Sequence, residues 1–421
     1  MTLHITDFGA VGDGRTLNTQ AIHAAIEACD RRGGGTVVLP AGRYVTGSLF
    51  LRNNITLHLE AGAVLVGSED PADYPVIHTR WEGAEQPAHA PLITGRGLHN
   101  VAVVGRGTVD GRGGVWWEMH RSKTLDYPRP RLISFDECTN VLIEGITCMN
   151  SPAWTVTPLR CENVTVDKVT ILNPRESPNT DGINPDSCRY VHISNCHIDV
   201  GDDCITIKSG TEAGGWANLS PCEHITINNC TMAHGHGGVV IGSEMSGDVR
   251  NVAIHNCVFV GTERGIRLKS RRGRGGVVED IRVSNVLMDG VRCPFTMNLF
   301  YSYGVTDPEL AFDKNPRPVN QGTPHFRRIG FSHISARKAQ YAAAFLLGLP
   351  EMPIEDVWFE DVSIALAGDA PSGNPDMAPG FGPYQRAGFF AQHVRGLRLE
   401  RVEISGQEGE ALLLNDVTLQ K

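Results

Sequence analysis

Three aspartates occupy positions where paired carboxylates could carry out acid–base chemistry. Asp202 and Asp203 are adjacent in VGDDCITIKSG (200–210), and Asp181, in SPNTDGINPDS (177–187), precedes Asp202 by 21 residues. If that separation is one turn of a coil whose strands lie about 4.8 Å apart, the three side chains share one outer face. Carboxylates this close cannot all ionise freely, so we expect at least one to be held protonated.

A carboxylic acid beside carboxylates suits the hydrolysis of a glycosidic bond. The acid protonates the leaving oxygen, while a carboxylate attacks the sugar or activates a water molecule. An inverting enzyme holds the two groups roughly 6.5 to 9.5 Å apart, a gap that neighbouring turns and side-chain reach can provide. The alternative is structural, because Asp-Gly forms turns and an exposed Asp-Asp can end a strand.

A concentrated group of basic residues follows the aspartates. HGHGG (234–238) places His236 between glycines, where backbone can approach a ligand closely, and ERGIRLKSRRGRGG (263–276) carries no acid after Glu263. Arg267 and Lys269 are two residues apart, so on a strand they face the same way. In a chain of net charge −9, this patch predicts an anionic substrate. A solvated basic turn is the alternative for this pair, and it is our interpretation of residues 271–274.

Three other side chains each have two interpretations. Lys208 either adds positive potential near the aspartate pair or is simply solvated. Trp116 and Trp117 could stack on a sugar face, although packing beneath a loop is the commoner role of such aromatics.

The composition excludes several classes of protein. The chain has 421 residues, 41% hydrophobic and 20% charged, which is ordinary for a globular protein. Its negative net charge argues against nucleic-acid or anionic-membrane partners, and no apolar run approaches the 18 or more residues of a membrane span. No secretion signal is visible at MTLHITDFGAVGDG, and eleven cysteines in a long chain argue against a disulfide scaffold. We therefore expect a cytoplasmic location.

A short pattern recurs along the chain and predicts the elements that position these residues. It reads polar, apolar, any, apolar, two further residues, apolar, with separations that are mostly 23 to 34 residues. The copies begin at residues 54, 100, 140, 163, 190, 224, 251, 280, 328, 356 and 396. Strand-sized β-branched segments at this period predict an all-β solenoid of parallel strands. We expect one elongated domain, 1–421, whose central rungs, 140–300, carry the active site.

The last position of the pattern alternates thiols with branched aliphatic residues. It is filled by Ile146, Val169, Cys196, Cys230, Cys257, Val286, Ile334, Val362 and Val402. This alternation predicts buried thiols that pack as small hydrophobes, rather than a metal or redox site, which needs closely paired cysteines.

The first end of a solenoid needs a cover, and one segment fits that role. NTQAIHAAIEACDR (18–31) has Ala21, Ile22, Ala25 and Ile26 on one face, and glycines 33 to 35 follow it. We expect a capping helix and turn over 18–35. Residues 301–326 and 363–390 are rich in Pro, Gly and Asp and are predicted loops.

The order of the motifs resembles the polygalacturonases of glycoside hydrolase family 28, in particular bacterial exo-acting members. The resemblance rests on NTDG (179–182), GDD (201–203), GHG (235–237) and RLK (267–269), together with DFGAVGDG (7–14). Leu268 departs slightly from the usual Ile. The resemblance implies a right-handed parallel β-helix over essentially the whole chain and no cofactor or metal.

The resemblance also implies roles for individual residues. Asp202 would be the general acid, while Asp181 and Asp203 would hold and deprotonate the attacking water, giving inversion. His236 would hydrogen-bond into the carboxylate group. Arg267 and Lys269 would bind the galacturonate carboxylate. The remaining substrate-binding assignments are Asn179, Glu244 (in GSEMSG, 242–247) and Lys208, with a simple turn as the alternative for Glu244.

The predicted function is inverting hydrolysis of α-1,4-linked galacturonan, from a chain end. Three alternatives stay open. The first is a rhamnogalacturonan or xylogalacturonan hydrolase on the same scaffold. The second is a pectate lyase, in which the aspartates would bind Ca²⁺. The third is a non-catalytic carbohydrate-binding β-helix. The sequence makes no prediction of the oligomeric state.

Overall fold

The computed structural model describes residues 1–420, and the chain is 51% strand and 10% helix. The chain forms two compact units. The first comprises Met1–Trp81 and Glu85–Asp202, and the second comprises Glu82–Ala84 with the chain from Asp203 onward. The three α-helices are α1 (Thr19–Asp30), α2 (Gly113–Ser122) and α3 (Pro308–Phe312). Among the described residues, no helix has both the length and the apolar character needed to cross a lipid bilayer.

Parallel strands in the first unit form three sheets that the chain visits in turn. One sheet has the order β1-β3-β6-β11-β14-β17-β19, the second β2-β4-β7-β12-β15-β18-β20, and the third β5-β10-β13-β16. The strands are β1 (Thr2–His4), β2 (Asp13–Leu17), β3 (Gly35–Leu39), β4 (Gly42–Thr46), β5 (Leu49–Phe50), β6 (Ile55–Leu59), β7 (Ala63–Gly67), β8 (Val76–Trp81), β9 (Ala84–His89), β10 (Ile93–Arg96), β11 (His99–Gly105), β12 (Thr108–Asp110), β13 (Ile133–Asp136), β14 (Thr139–Glu144), β15 (Thr147–Met149), β16 (Val156–Leu159), β17 (Glu162–Asp167), β18 (Thr170–Leu172), β19 (Arg189–Ser194) and β20 (His197–Val200).

The second unit repeats this arrangement with longer strands. One sheet has the order β22-β25-β27-β29-β31-β32-β33, and another β21-β24-β26-β28-β30-β32-β33. The strands are β21 (Ile205–Ile207), β22 (Cys222–Asn228), β23 (Thr231–His234), β24 (Val239–Gly242), β25 (Val249–Val260), β26 (Arg264–Lys269), β27 (Val277–Asp289), β28 (Cys293–Asn298), β29 (His325–Ala339), β30 (Ala342–Leu347), β31 (Ile354–Leu366), β32 (Ala387–Ser405) and β33 (Leu412–Leu419). Each unit is thus a coil of parallel strands, and parallel crossovers are right-handed in nearly all proteins.

The first and sixth positions of the repeat are bends of the backbone, many of which lie within the strand ranges given above. Nearly every copy has a left-handed residue (positive φ) at its first and sixth positions, which turns the chain from one sheet to the next. The first positions are Asn54, Asn100, Asn140, Asn163, Tyr190, His224, Asn251, Asp280, Arg328, Asp356 and Gly396. The sixth are Gly105, Gly145, Lys168, Asn195, Asn229, Asn256, Asn285, His333, Asp361 and Arg401. Asn, Asp and Gly recur there because they tolerate this conformation best.

The apolar last position of the repeat forms an internal column, as the sequence predicts. In the second unit the register pairs Cys257 with Val286, then Ile334, Val362 and Val402. All eleven cysteines are buried, which confirms the interpretation of the thiols as packing residues.

The predicted capping helix is α1. It packs on β1, β3, β5 and β6 and buries Ile22, Ala25, Ile26 and Cys29, whereas Ala21 is only half-buried. Its N-cap residue is Asn18, but the Asn18 side chain bonds to the backbone of Val11 instead of capping the helix. Helix α2 is an element that the sequence analysis did not predict.

Candidate active site

Three neighbouring strands of the second unit position the two basic residues of RLK. The register places Arg267 of β26 between Val240 of β24 and Thr296 of β28, and Lys269 between Gly242 and Asn298. Ile266 and Leu268 alternate with them and belong to the apolar core. Because side chains alternate across a strand, Arg267 and Lys269 share the opposite side, as predicted.

Asp203 lies against these two cations. Lys269 Nζ donates to Asp203 Oδ2 at 2.7 Å, and Arg267 Nη1 donates to Oδ1 at 3.3 Å. All three side chains are buried, and Asp203 is only 1% exposed. Burial by itself favours the neutral acid, but the charges of Lys269, Arg267 and His236 outweigh it and hold the pKa of Asp203 below its usual range. Asp203 is therefore an ionised carboxylate, suited to act as a base and not as the acid.

A second buried carboxylate, Asp376, binds the other side of Arg267. Arg267 Nη2 donates to Asp376 Oδ1 at 2.6 Å, and the backbone N–H of Met377 donates to the same oxygen at 2.8 Å. The Tyr301 ring lies 5.5 Å from the Arg267 guanidinium and 5.2 Å from Lys269 Nζ. Asp376 comes from the predicted loop 363–390, 109 residues away in sequence, and the sequence analysis did not identify it.

The lack of a side chain at Gly237 lets Asp203 and Arg267 pack closely against the backbone next to His236. A Cβ at Gly237 would lie 2.4 Å from Val240 Cγ2, 3.4 Å from Asp203 Oδ1 and 3.5 Å from Arg267 Cδ. The backbone carbonyl of Gly237 also accepts from the N–H of Cys204 at 2.8 Å. His236 itself is exposed, and its charge acts on Asp203.

Lys208 and Glu244 form an ion pair with each other. Lys208 Nζ donates to Glu244 Oε2 at 2.9 Å, and both residues are buried. Burial would raise the pKa of Glu244, but Lys208 and then Arg274 lower it to about 2. Solvation of Lys208 is thus excluded, whereas the turn role of Glu244 and the contact of both residues with sugar stay predictions.

The interpretation of residues 271–274 as a solvated basic turn is wrong, because Arg271, Arg272 and Arg274 are all buried. Arg272 binds both carboxylate oxygens of Glu351, at 2.6 and 2.8 Å, and Arg274 donates to Glu212 at 3.0 Å. The long polar segments of the second unit fold over these arginines, and sequence spacing gives no sign of that.

In the first unit, the NTDG segment lies in register beside β16. Ile183 bridges to Val156, and the backbone carbonyl of Asp181 accepts from the N–H of Thr155 at 2.9 Å. The Asp181 side chain is buried, and its Oδ2 accepts from Asn184 Nδ2 at 3.0 Å. Asp202, half-buried, is the last residue of this unit. The grouping of all three aspartates stays a prediction.

A buried arginine holds the start of the same segment. Arg129 donates to the backbone carbonyls of Pro152 and Pro178, at 2.8 and 2.7 Å, and to the Asn179 side-chain oxygen at 2.8 Å. The sequence analysis missed Arg129. Asn179 is thereby fixed in a left-handed conformation with φ of 54°, and its predicted contact with substrate is untested.

The two tryptophans follow the commoner interpretation. Trp116 is fully buried in α2 and packs edge-on against Tyr74 and His89, with ring centroids 5.1 and 5.4 Å apart. Trp117 is half-buried and donates from its indole nitrogen to the carbonyl of Ser151 at 3.0 Å.

Comparison with known proteins supports an enzyme that acts on glycosides. The family model of glycosyl hydrolases family 28 matches residues 41–374. A probable polygalacturonase of Vitis vinifera is 37% identical over 376 residues, 87% of this chain and 74% of that protein. An endo-polygalacturonase of Pectobacterium carotovorum subsp. carotovorum is 31% identical over 304 residues, 67% of this chain and 72% of that one. The exopolygalacturonase structure from Thermotoga maritima superposes with a TM-score of 0.83 at 31% identity, covering 97% of this chain and 93% of that chain.

The fold, the carboxylate-bearing site and these matches define a glycoside hydrolase built as a right-handed parallel β-helix. The chain belongs to glycosyl hydrolases family 28, whose model spans most of its length. The resemblance seen in the four motifs, and the fold class it implies, are both confirmed.

Proposed function

We propose that this family 28 hydrolase is a polygalacturonase that removes galacturonate units from the end of α-1,4-linked galacturonan with inversion of configuration. The observation that carries the proposal is the buried Asp203–Lys269–Arg267 cluster, in which an ionised carboxylate lies directly beside two cations. A base and a binding site for an acidic sugar are thus adjacent, which matches a uronate substrate.

The charges around Asp203 support different roles for Asp202 and Asp203, as general acid and base, which sequence spacing alone leaves open. Asp203 is held ionised by Lys269 and Arg267, so it cannot donate the proton that the leaving oxygen needs. We assign Asp203 and Asp181 to the attacking water and Asp202 to the general acid, with His236 acting on Asp203. In an inverting reaction, the water attacks the anomeric carbon from the face opposite the leaving oxygen.

The two cations have hydrogen-bond donors that neither Asp203 nor Asp376 uses. Arg267 Nε–H has no hydrogen-bond partner among the described residues, and only one of the three donors of Lys269 Nζ is used by Asp203. A galacturonate carboxylate that accepts from both groups would bring the reacting sugar next to the ionised Asp203.

Action from the chain end rests on the similarity to one solved structure. The exopolygalacturonase of Thermotoga maritima is 31% identical to this chain and superposes over 97% of it with a TM-score of 0.83. A cytoplasmic location stays a prediction. It is supported by the eleven cysteines, none of which forms a disulfide, because thiols stay reduced in the cytosol.

The proposed function is tested with polygalacturonate and trigalacturonate, each with and without chelator, on the wild type and Asp202→Asn. Reducing ends, the absorbance of unsaturated uronide and product sizes are followed together. We expect saturated monogalacturonate from the start, no effect of chelator, and a loss of roughly 10²- to 10⁴-fold in rate for Asp202→Asn with binding retained.

The other outcomes separate the alternatives. Unsaturated product that requires Ca²⁺ would indicate a pectate lyase. Binding of trigalacturonate without turnover in the wild type would indicate a carbohydrate-binding protein. Turnover of branched pectin alone would indicate a rhamnogalacturonan or xylogalacturonan hydrolase.

A further inference from the structure

Arg271 is a buried cation that has no carboxylate partner within residues 1–420. It follows Lys269 by two residues and is 6% exposed. Its Nη2 donates to the backbone carbonyl of Gly304 at 2.9 Å, and its Nη1 is buried with no hydrogen-bond partner among the described residues. A buried guanidinium with an unused donor is costly unless something binds it.

The other buried cations of the same sequence segment all have carboxylate partners. Arg267 and Lys269 bind Asp203, and Arg264, Arg272 and Arg274 bind Glu263, Glu351 and Glu212. No carboxylate among the described residues lies within ion-pair distance of Arg271. The described residues thus leave Arg271, alone among the cations of this segment, without a carboxylate partner.

The charged residues near Arg271 do not provide a negative charge that could pair with its guanidinium. Burial lowers the pKa of Arg271, and the positive charge of Arg274 lowers it further. The two acids that act on it from nearby, Glu212 and Glu244, are already bound to Arg274 and Lys208. The backbone of Arg271 bridges to Phe300, and the N–H of the next residue, Tyr301, donates to the Ser270 carbonyl at 3.1 Å. Because the Tyr301 ring contacts Arg267 and Lys269, Arg271 lies at the edge of the proposed substrate site.

We propose that Arg271 binds the carboxylate of a second galacturonate unit of the substrate, apart from the unit whose carboxylate Arg267 and Lys269 bind. The inference rests on the proposed function, since galacturonan carries one carboxylate on each sugar. The planar guanidinium matches a carboxylate with two parallel hydrogen bonds. Among the described residues, the Arg271 side chain donates only to the Gly304 carbonyl, so no ion pair has to break when substrate enters.

The test compares wild type, Arg271→Met, Arg271→Lys and the control Arg337→Met, which removes the same charge from a side chain that is 75% exposed. Calorimetry measures the Kd of trigalacturonate and of galactotriose, the same trimer without carboxylates. Steady-state kinetics on trigalacturonate and thermal unfolding complete the set.

We expect Arg271→Met to weaken trigalacturonate binding roughly 10- to 100-fold and to leave galactotriose binding unchanged. KM should rise while kcat stays within a few-fold, because a carboxylate remote from the cleaved bond is bound equally in ground and transition states. Arg271→Lys should recover part of the affinity, and Tm should stay level or rise because a buried unpaired cation is removed.

Equal losses for the two trimers together with a lower Tm would show a purely structural Arg271 and overturn the inference, as would an unchanged Kd for trigalacturonate. Failure of the proposed function has a different signature, namely a wild type that does not hydrolyse trigalacturonate. In that event the ratio of the two Kd values, in wild type and in Arg271→Met, still decides whether Arg271 binds a carboxylate.

Discussion

At the scale of single residues, the ionisation of Asp203 depends on the two cations that share its carboxylate. Because the folded pKa lies below the unfolded value, the ionised group stabilises the fold at pH above the unfolded pKa. That contribution is lost as the pH falls through the folded pKa. The same ionised state supplies the base of the proposed reaction, so stability and activity respond together when a cation is removed.

Lys269→Met should raise the pKa of Asp203, because the closest cation is gone while burial remains. The acid limb of the kcat/KM profile should then move to higher pH, by roughly one to three units. Acid unfolding, followed by circular dichroism, should also begin at higher pH. Lys338→Met, at a side chain that is 72% exposed, is the control and should leave both profiles in place. An acid limb that stays put in Lys269→Met would show that Asp203 is not the titrating base.

Asp376→Asn tests whether this loop aspartate orients Arg267. The change removes one charge of a buried pair at 2.6 Å, so the free energy of unfolding should fall by about 3 kcal/mol. KM for galacturonan should rise, because the guanidinium loses one of its two anchors. Urea unfolding and steady-state kinetics measure the two effects. Asp369 is an exposed residue of the same loop, so Asp369→Asn should leave the free energy of unfolding and KM unchanged. Equal effects of the two substitutions would show that Asp376 does not orient Arg267.

At the scale of elements, the backbone bends of the repeat keep the rungs in register. Asparagines there form side-chain ladders: Asn100, Asn140 and Asn163 donate to Asn54, Asn100 and Asn140, at 2.9, 2.9 and 2.7 Å. In the second unit, Asn256 donates to Asn228 at 2.9 Å and accepts from Asn285 at 2.7 Å. Stacked amides satisfy one another and favour the left-handed conformation that each bend requires.

Asn256 separates the two contributions of such a residue. Asn256→Ala loses both ladder bonds and places a Cβ-bearing side chain without local hydrogen bonds at φ of 56°, so we expect a loss of about 2 kcal/mol in stability. Asn256→Gly loses the same bonds but tolerates the conformation and should be less destabilising. Denaturant unfolding of Asn256→Ala and Asn256→Gly measures the two losses of stability. If the glycine variant were the less stable, the left-handed backbone would not be what selects Asn here.

At the scale of the whole molecule, the repeat period and the alternation of apolar positions were enough to predict the coil. They are local signals, because each copy pairs with its neighbour in the same register. The same logic identified Arg267 and Lys269 as a pair that shares one side of a strand. The polar first position was visible too, but the left-handed backbone at the first and sixth positions was not inferred.

The residues that escaped prediction are those brought in from far away in sequence. Asp376 reaches Arg267 from a loop 109 residues later, and Arg272 is buried by Glu351, 79 residues away. Such contacts depend on how irregular segments fold back onto the coil. The periodicity of the repeat does not predict how these segments fold. The burial of Arg271 is missed for the same reason, since a run of arginines between glycines looks like a solvated turn.

The most direct test of the central claim is a time course of trigalacturonate hydrolysis followed by proton NMR of the anomeric signals. The account predicts that monogalacturonate and digalacturonate appear together and that the newly formed reducing end is first seen as the β-anomer, before mutarotation. A new reducing end that first appears as the α-anomer, or an unsaturated product, would contradict the inverting mechanism assigned to Asp202 and Asp203.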